Sequence, residues 1–256
     1  MFRIDPCAAR ACGLAVALIA LALPAPLAAG AAEPHSLRDG PREIREPFGA
    51  GTWLPSGGGL LEKWLTVWRR WNDEKRALEA CRNDRSQCAE PAALELLAIV
   101  DRARALNGRA QLGEINRAIN LAIKPVGDLA AHGKTDVWSS PLETLGSRSG
   151  DCEDYAIAKF AALLEAGISP ENLRLMVVRD SVRSDDHAVV AAKLDGEWLV
   201  LDNRRLVMLA DTQLANYSPL LQLDGAGARR YADVSLAAVE QEYSNSVEFK
   251  PGAITK

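Results

Sequence analysis

What most limits the fold of this chain is one dipeptide, Asp195-Gly196, set between two runs of strand-forming residues. It is a preferred pair for a two-residue hairpin turn, because both central positions need positive φ. His187 to Leu194 and Glu197 to Asp202 read as the paired strands, and Leu173 to Arg179 as a third, buried one. A two-residue loop pairs Leu194 with Glu197. Stepping outward pairs Val189 with Asp202 and His187 with Arg204. His187 and Asp202 then become diagonal neighbours on one face, about 7–8 Å apart and within side-chain reach. A three-residue loop would break this parity. Arg205 to Leu209 can continue the sheet, and Leu220 to Leu223 and Arg229 to Val234 offer shorter strands.

Upstream the period is helical. Leu61, Trp64, Trp68, Trp71 and Leu78 recur on one face of a helix that starts near Gly59 and ends near Cys81. The tryptophan stripe suits a packed core or a ligand platform, and the large apolar area it buries favours the core. Pro91 opens a second helix through Leu94, Leu97, Val100 and Leu106, closed by Gly108. A third runs from about Gln111 to Ile123 and stops at Pro125. Ser140-Pro141-Leu142-Glu143 is a capping box that starts a short helix ending at Gly146. Helices followed by antiparallel strands make an α+β chain, a helical lobe packed on a sheet.

Between the two regions lies Ser147-Arg148-Ser149-Gly150-Asp151-Cys152-Glu153-Asp154. Ser149 can cap a helix carrying Cys152 in its first turn, with Ala156, Phe160, Leu163 and Leu164 on the buried face and Gly167 as the stop. A thiol at a helix N-terminus sees the positive end of the macrodipole, which favours thiolate. Asp151, Glu153 and Asp154 oppose this by repelling a second anion. A histidine, a bound cation, or both would resolve the conflict. An imidazole held by a carboxylate, next to a free cysteine, is the arrangement thiol catalysis needs. His187 and Asp202 could equally satisfy only each other, and the acids could simply complement the helix dipole.

Residues 1–32 read as a secretory signal: Arg3 and Arg10, an apolar run from Gly13 to Leu23, and small residues from Ala28 to Ala32. Export to the periplasm is expected, with no membrane insertion after cleavage. Removing the segment takes one net positive charge with it, so a net charge of -4 becomes -5. With no basic run, nucleic acid is not the expected partner. Of five cysteines, Cys81, Cys88 and Cys152 lie beyond the signal. Cys81 and Cys88 can close a short loop in an oxidising compartment, leaving Cys152 as an odd, reactive thiol. Residues 33–57, rich in proline and glycine, read as an extended arm, residues 58–245 as one domain and 246–256 as a flexible tail.

Asp136-Val137-Trp138, Ser140-Pro141-Leu142-Glu143, Gly150-Asp151-Cys152-Glu153-Asp154-Tyr155-Ala156-Ile157-Ala158-Lys159, Asp186-His187-Ala188-Val189 and Trp198 to Asn203 together resemble the bacterial transglutaminase-like cysteine proteinases. Within that family the likeness is greatest to the periplasmic proteases of biofilm-forming bacteria, over roughly residues 60–235. The resemblance implies a papain-like, transglutaminase-like fold with Cys152 as nucleophile, His187 as base and Asp202 as orienter. It implies calcium held by Asp151 and Glu153, with Asp154 or Asp136 among the groups that could complete the shell. It also implies a large repeat adhesin as substrate, cut near its N-terminus, and an inner-membrane cyclic di-GMP receptor that sequesters the protease. Two other readings stand beside this one: a transglutaminase or amidase on the same fold, and a non-catalytic calcium-binding module. The Cys152 backbone N–H is a natural oxyanion donor; the Trp138 region could supply a second, and Trp138 could equally serve packing or substrate binding. Gly133-Lys134-Thr135 lacks the leading glycine of a phosphate loop, and Gly225-Ala226-Gly227 is a lone GxG.

Overall fold

The computed structural model describes residues 46–49 and 53–231. The expected signal (1–32), most of the arm, the end of the last strand beyond Tyr231 and the tail lie outside the described residues, as do Cys7, Cys12 and His35. Among the described residues no helix is long and apolar enough to cross a membrane.

Among the described residues six α-helices and nine strands are formed. The first helix, α1, spans Gly59–Asn83, two residues longer than expected. Its buried residues Trp64, Val67, Trp71 and Leu78 confirm the core reading of the stripe, with Trp68 half-buried against Phe160. Helix α2 spans Pro91–Arg104 and α3 spans Gly108–Ala122. Gly108 therefore opens the third helix and does not close the second. Its φ of 53° lets the chain reverse between the two helices, which costs glycine little.

Cys81 and Cys88 are bonded, tying the end of α1 to the segment leading into α2. Cys88→Ser should lower stability by roughly 2–3 kcal/mol through the freed unfolded chain. A thermal melt reads this as a Tm fall of roughly 5–10 °C. A variant melting with the parent would show that the crosslink does not stabilise the fold.

The short helix α4 spans Asp128–His132. His132 is its last residue, and Gly133 caps it in the left-handed conformation at φ 66°. That is the structural use of the glycine in Gly133-Lys134-Thr135. Helix α5 spans Pro141–Ser147, with Glu143 accepting from the Ser140 N–H at 2.9 Å, and α6 spans Cys152–Glu165. Strand β2 (Lys124–Pro125) pairs in parallel with β3 (Ser149–Gly150). That ladder keeps Ser149 and Gly150 extended, so Ser149 cannot cap α6; Asp151 holds the cap position.

Among the described residues the main sheet has seven strands: β1 Trp53–Pro55, β4 Leu173–Asp180, β5 Asp185–Leu194, β6 Glu197–Leu201, β7 Leu209–Ala210, β8 Tyr217–Asp224 and β9 Gly227–Tyr231. Their order is β1-β9-β8-β4-β5-β6-β7, with every pair antiparallel. Three residues of the expected arm are therefore an edge strand, Trp53 opposite Tyr231. Leu194 pairs with Glu197, and Asp195 and Gly196 take φ values of 51° and 86°, so the hairpin register holds as far as Val190 opposite Leu201; β6 ends there, and the expected pairs Val189–Asp202 and His187–Arg204 do not form. Gly225-Ala226 makes the turn of a second tight hairpin, Asp224 opposite Gly227. Of the run from Arg205, only Leu209 joins the sheet; residues 203–208 form a loop.

One sheet face, with Leu175, Val177, Ala188, Val190, Leu199 and Leu201, shares the main core with α1, α2, α3 and α6. The opposite face carries a smaller cluster around Met176, Val189, Trp198 and Tyr217. Alternation along each strand accounts for the division, since successive side chains point to opposite faces.

Candidate active site

Cys152 is the first residue of α6, so its backbone N–H has no acceptor within the helix. It is the only unbonded cysteine among the described residues. Its thiol donates to Glu153 Oε2 at 2.8 Å. Burial raises the thiol pKa well above normal, and the adjacent Glu153 carboxylate raises it further; a hydrogen bond from the Ala188 backbone N–H acts the other way. That last contact is available because β5 and β6 are paired only from Val190 onward, leaving the edge of β5 beside Ala188 unpaired on that side.

His187 precedes Ala188 on β5 and is 1 % exposed. Its Nε2 meets Asp202 Oδ1 at 2.8 Å. An ionised carboxylate only accepts, so the proton of that bond sits on Nε2. Nδ1 is buried without a hydrogen-bond partner. The structure thus joins His187 to Asp202 and seats the Cys152 sulfur one residue from His187. In this conformation the thiol is bonded to Glu153, and no hydrogen bond links it to the imidazole.

Asp202 is buried just past the end of β6 and receives four donors. Oδ1 accepts from His187 and, at 2.9 Å, from the Arg204 N–H. Oδ2 accepts from Tyr217 Oη at 2.8 Å and Arg205 Nη1 at 2.7 Å. Burial alone would raise this carboxyl; the bond and charge of His187, then the Arg204 N–H and Tyr217, outweigh it and hold the pKa far below the usual range. Tyr217 also stacks edge-on against the imidazole, centroids 5.8 Å apart. Neither Tyr217 nor Arg205 was found by sequence reasoning. Tyr217 lies fifteen residues from Asp202, on a strand whose start has no turn signal to set its register.

The acids around the cysteine form one cluster. Burial, then the charge of Glu153, raises the Asp151 carboxyl to about 9. Burial raises Asp154 to about 6, although its Oδ1 accepts from the Ser139 N–H at 2.8 Å. Asp128, which sequence reasoning passed over, joins them: Oδ2 accepts from the Val137 N–H and its pKa is raised, mainly by burial. Asp128, His132 and Asp154 each offer an atom within 4.8 Å of the others. Asp128 Oδ1, Asp151 Oδ1 and Asp154 Oδ2 are buried without hydrogen-bond partners. Asp136 is differently placed: it pairs with Lys63 and accepts from Trp138 Nε1 at 3.1 Å. Trp138 is buried beside it.

Gly150 makes this packing possible. A Cβ there would lie 2.6 Å from Asp154 Oδ2 and 2.7 Å from its Cβ. Because the second contact is close to the helix backbone, rotating the carboxylate cannot relieve it. Gly150→Ala should destabilise the fold by about 1–3 kcal/mol, as overpacking does. Denaturant midpoints measure it, and an unchanged midpoint would refute the contact.

The sequence model of the bacterial transglutaminase-like cysteine proteinases matches residues 76–228. Among solved structures, Legionella pneumophila LapG is similar, with 19% identity over 67% of this chain and 94% of that one, at a TM-score of 0.51. Calcium-bound LapG from the same organism aligns at 20% identity over 65% and 98% of the two chains, TM-score 0.52. The EGTA-treated form aligns at 20% identity over 62% and 85%, TM-score 0.50. At these identities the likeness establishes the shared fold. Among curated proteins no sequence matches.

Proposed function

The chain belongs to the bacterial transglutaminase-like cysteine proteinases, and we propose that it is a calcium-dependent cysteine endopeptidase using Cys152, His187 and Asp202. One observation carries this reading. Nε2 of His187 is committed to Asp202, while Nδ1 is buried, unpartnered, and next in the chain to the residue whose N–H holds the cysteine sulfur. Nδ1 takes the thiol proton, and Asp202 stabilises the imidazolium that results. The sulfur attacks the scissile carbonyl carbon, and the Cys152 N–H stabilises the oxyanion. Nδ1 returns the proton to the leaving amine. Water then attacks the thioester, loses its proton to Nδ1, and frees the carboxylate and thiol.

The acid cluster fits a hard cation. Several carboxylates crowd together, partly buried, with three orphaned oxygens and raised pKa values. Asp151, Glu153, Asp154 and Asp128 would hold calcium; Asp136, engaged by Lys63 and Trp138, is less suited. Bound calcium would neutralise the carboxylates that raise the thiol pKa. Support comes from the calcium-bound and EGTA-treated forms of LapG, with which the chain shares its fold.

By the same resemblance, the protein acts in the periplasm after signal removal. Its substrate is a large repeat adhesin cut near the N-terminus, whose release ends attachment and promotes biofilm dispersal. An inner-membrane cyclic di-GMP receptor sequesters it. The test is incubation of the purified protein with the N-terminal part of a giant adhesin from its own genome, with and without chelator. Cleavage should need both calcium and the Cys152 thiol. Cutting by Cys152→Ala, or in excess chelator, would refute the mechanism. Incorporation of a free amine, read by product mass, would show acyl transfer to amines in place of hydrolysis.

A further inference from the structure

Asp202 is followed by a loop, residues 203–208, that runs outside the sheet between β6 and β7. Its carbonyls have no ladder partners there, and buried backbone acceptors need donors from elsewhere. Helix α3 supplies them. Asn120 Nδ2 donates to the carbonyls of Asp202 and Arg205, both at 2.9 Å. Asn116 Nδ2 donates to the carbonyls of Arg205 at 3.0 Å and Leu206 at 3.1 Å. Arg109 Nη2 donates to the Met208 carbonyl at 2.9 Å. Positions 109, 116 and 120 share one helix face, so a single ridge of donors runs along the loop.

The asparagines are placed for donation alone. Asn116 is 0 % exposed, and Oδ1 of both Asn116 and Asn120 is buried without a hydrogen-bond partner. Turning either amide over would set its oxygen against carbonyl oxygens, so the contacts decide the orientation. Asparagine is also a poor residue for a helix interior. The loop's need for donors accounts for two of them four residues apart.

Asn120 grips the chain at the carbonyls of Asp202 and Arg205. Between those two points lie the Asp202 carboxylate, the Arg204 N–H that binds it, and the start of the Arg205 side chain that binds it. We propose that Asn116 and Asn120 are positioning residues for Asp202, holding its carboxylate in line with the His187 imidazole through the loop backbone. This rests on the protease reading for its catalytic consequence, since neither amide touches the reacting atoms.

The test compares Asn120→Asp, which keeps the shape but turns a donor into an acceptor facing two carbonyls, with Arg109→Ala on the same ridge farther from Asp202. Asn120→Asp should lower kcat about 10²-fold, the cost of a misplacement near 1 Å, with KM within about threefold. The ¹⁵N resonances of the His187 imidazole, read without substrate, should move as the bond to Asp202 loosens. Arg109→Ala should leave both readouts as in the parent. If Asn120→Asp does not fold, Asn120→Ala, which only deletes the donors, reads the same quantities. A folded variant with parental kcat and unmoved resonances overturns the proposal. So would failure of both variants to fold, because the amide would then serve the fold and not the acid. A parent that cleaves nothing, with resonances that still move in the variant, defeats the protease reading and leaves the positioning intact.

Discussion

Asp202→Asn should lower kcat by roughly 10²–10⁴-fold, the range for loss of a working general acid–base pair, with KM nearly unchanged. The four hydrogen bonds to this carboxylate decide the outcome. All come from donors: His187 Nε2, the Arg204 N–H, Tyr217 Oη and Arg205 Nη1. An asparagine offers one acceptor oxygen and one NH₂ group. If the oxygen faces His187, the NH₂ meets the Arg205 guanidinium; if it is turned over, the NH₂ meets the imidazole. Either way the fixed negative charge behind the imidazole is lost, and the imidazolium that forms on deprotonating Cys152 loses its stabiliser. The pH dependence follows from the depressed carboxyl pKa. The stability Asp202 contributes is present above its unfolded value of about 3.9 and is lost as pH falls through the lower folded value. From pH 5 to 8 the group stays ionised, so any acid limb in the activity profile over that window belongs to other groups. Steady-state kinetics on a peptide substrate, with a melting curve to confirm folding, measures the effect. A kcat drop under about threefold would mean that His187 does not depend on Asp202.

Calcium should raise the melting temperature, and the rise should grow with pH. At a hundredfold excess over Kd, a ligand of the folded state contributes about 2.7 kcal/mol, equivalent to a Tm increase of about 5–10 °C for a domain of this size. The pH dependence comes from the acid cluster. Asp151, raised to about 9, and Asp154, raised to about 6, bind protons more tightly folded than unfolded. Where the native state holds more protons, stability falls as pH rises. The calcium-free protein should therefore lose stability progressively from about pH 4 toward the folded values of these groups. Calcium competes with those protons and gains as they leave. Scanning calorimetry at pH 5.5 and pH 8, with and without calcium, should show the larger shift at pH 8. Asp151→Asn should reduce the shift while stabilising the calcium-free protein, because an amide is buried uncharged without the proton uptake that the carboxyl needs on folding. An equal shift at both pH values would mean these carboxylates do not hold the ion.

The hairpin at Asp195-Gly196 was readable because turn chemistry and strand parity are local rules. Together they fix the ladder out to Val190 opposite Leu201, and just past its end His187 and Asp202 meet at 2.8 Å. The tryptophan stripe was readable for a similar reason, since its helical spacing admits only one buried face. The cap of α6 lies two residues later than the sequence suggests, at Asp151. Ser149 is a good cap by composition, but pairing with Lys124 and Pro125 from a distant part of the chain keeps it extended. Asp128 was missed because one acid in a short helix carries no local mark; its place in the cluster depends on the fold bringing α4 to the start of α6. Tyr217 was missed likewise. Its hydroxyl reaches Asp202 only because β8 pairs with β4 across the sheet, and nothing in the sequence sets that pairing.

Sequence by itself determined which residues share a helix face, which strands turn tightly into each other, and that one cysteine stands among acids where a helix begins. These depend on neighbours within a few positions, where covalent geometry leaves few conformations. Tertiary structure alone decided that the thiol rests on Glu153, that Asp202 is ringed by four donors, and that an asparagine ridge on α3 holds the loop behind it. The asparagine contacts join groups more than eighty residues apart, and even the nearer ones need the strands and loop brought together, so only packing of the whole core selects them from the many partners each polar group could have found.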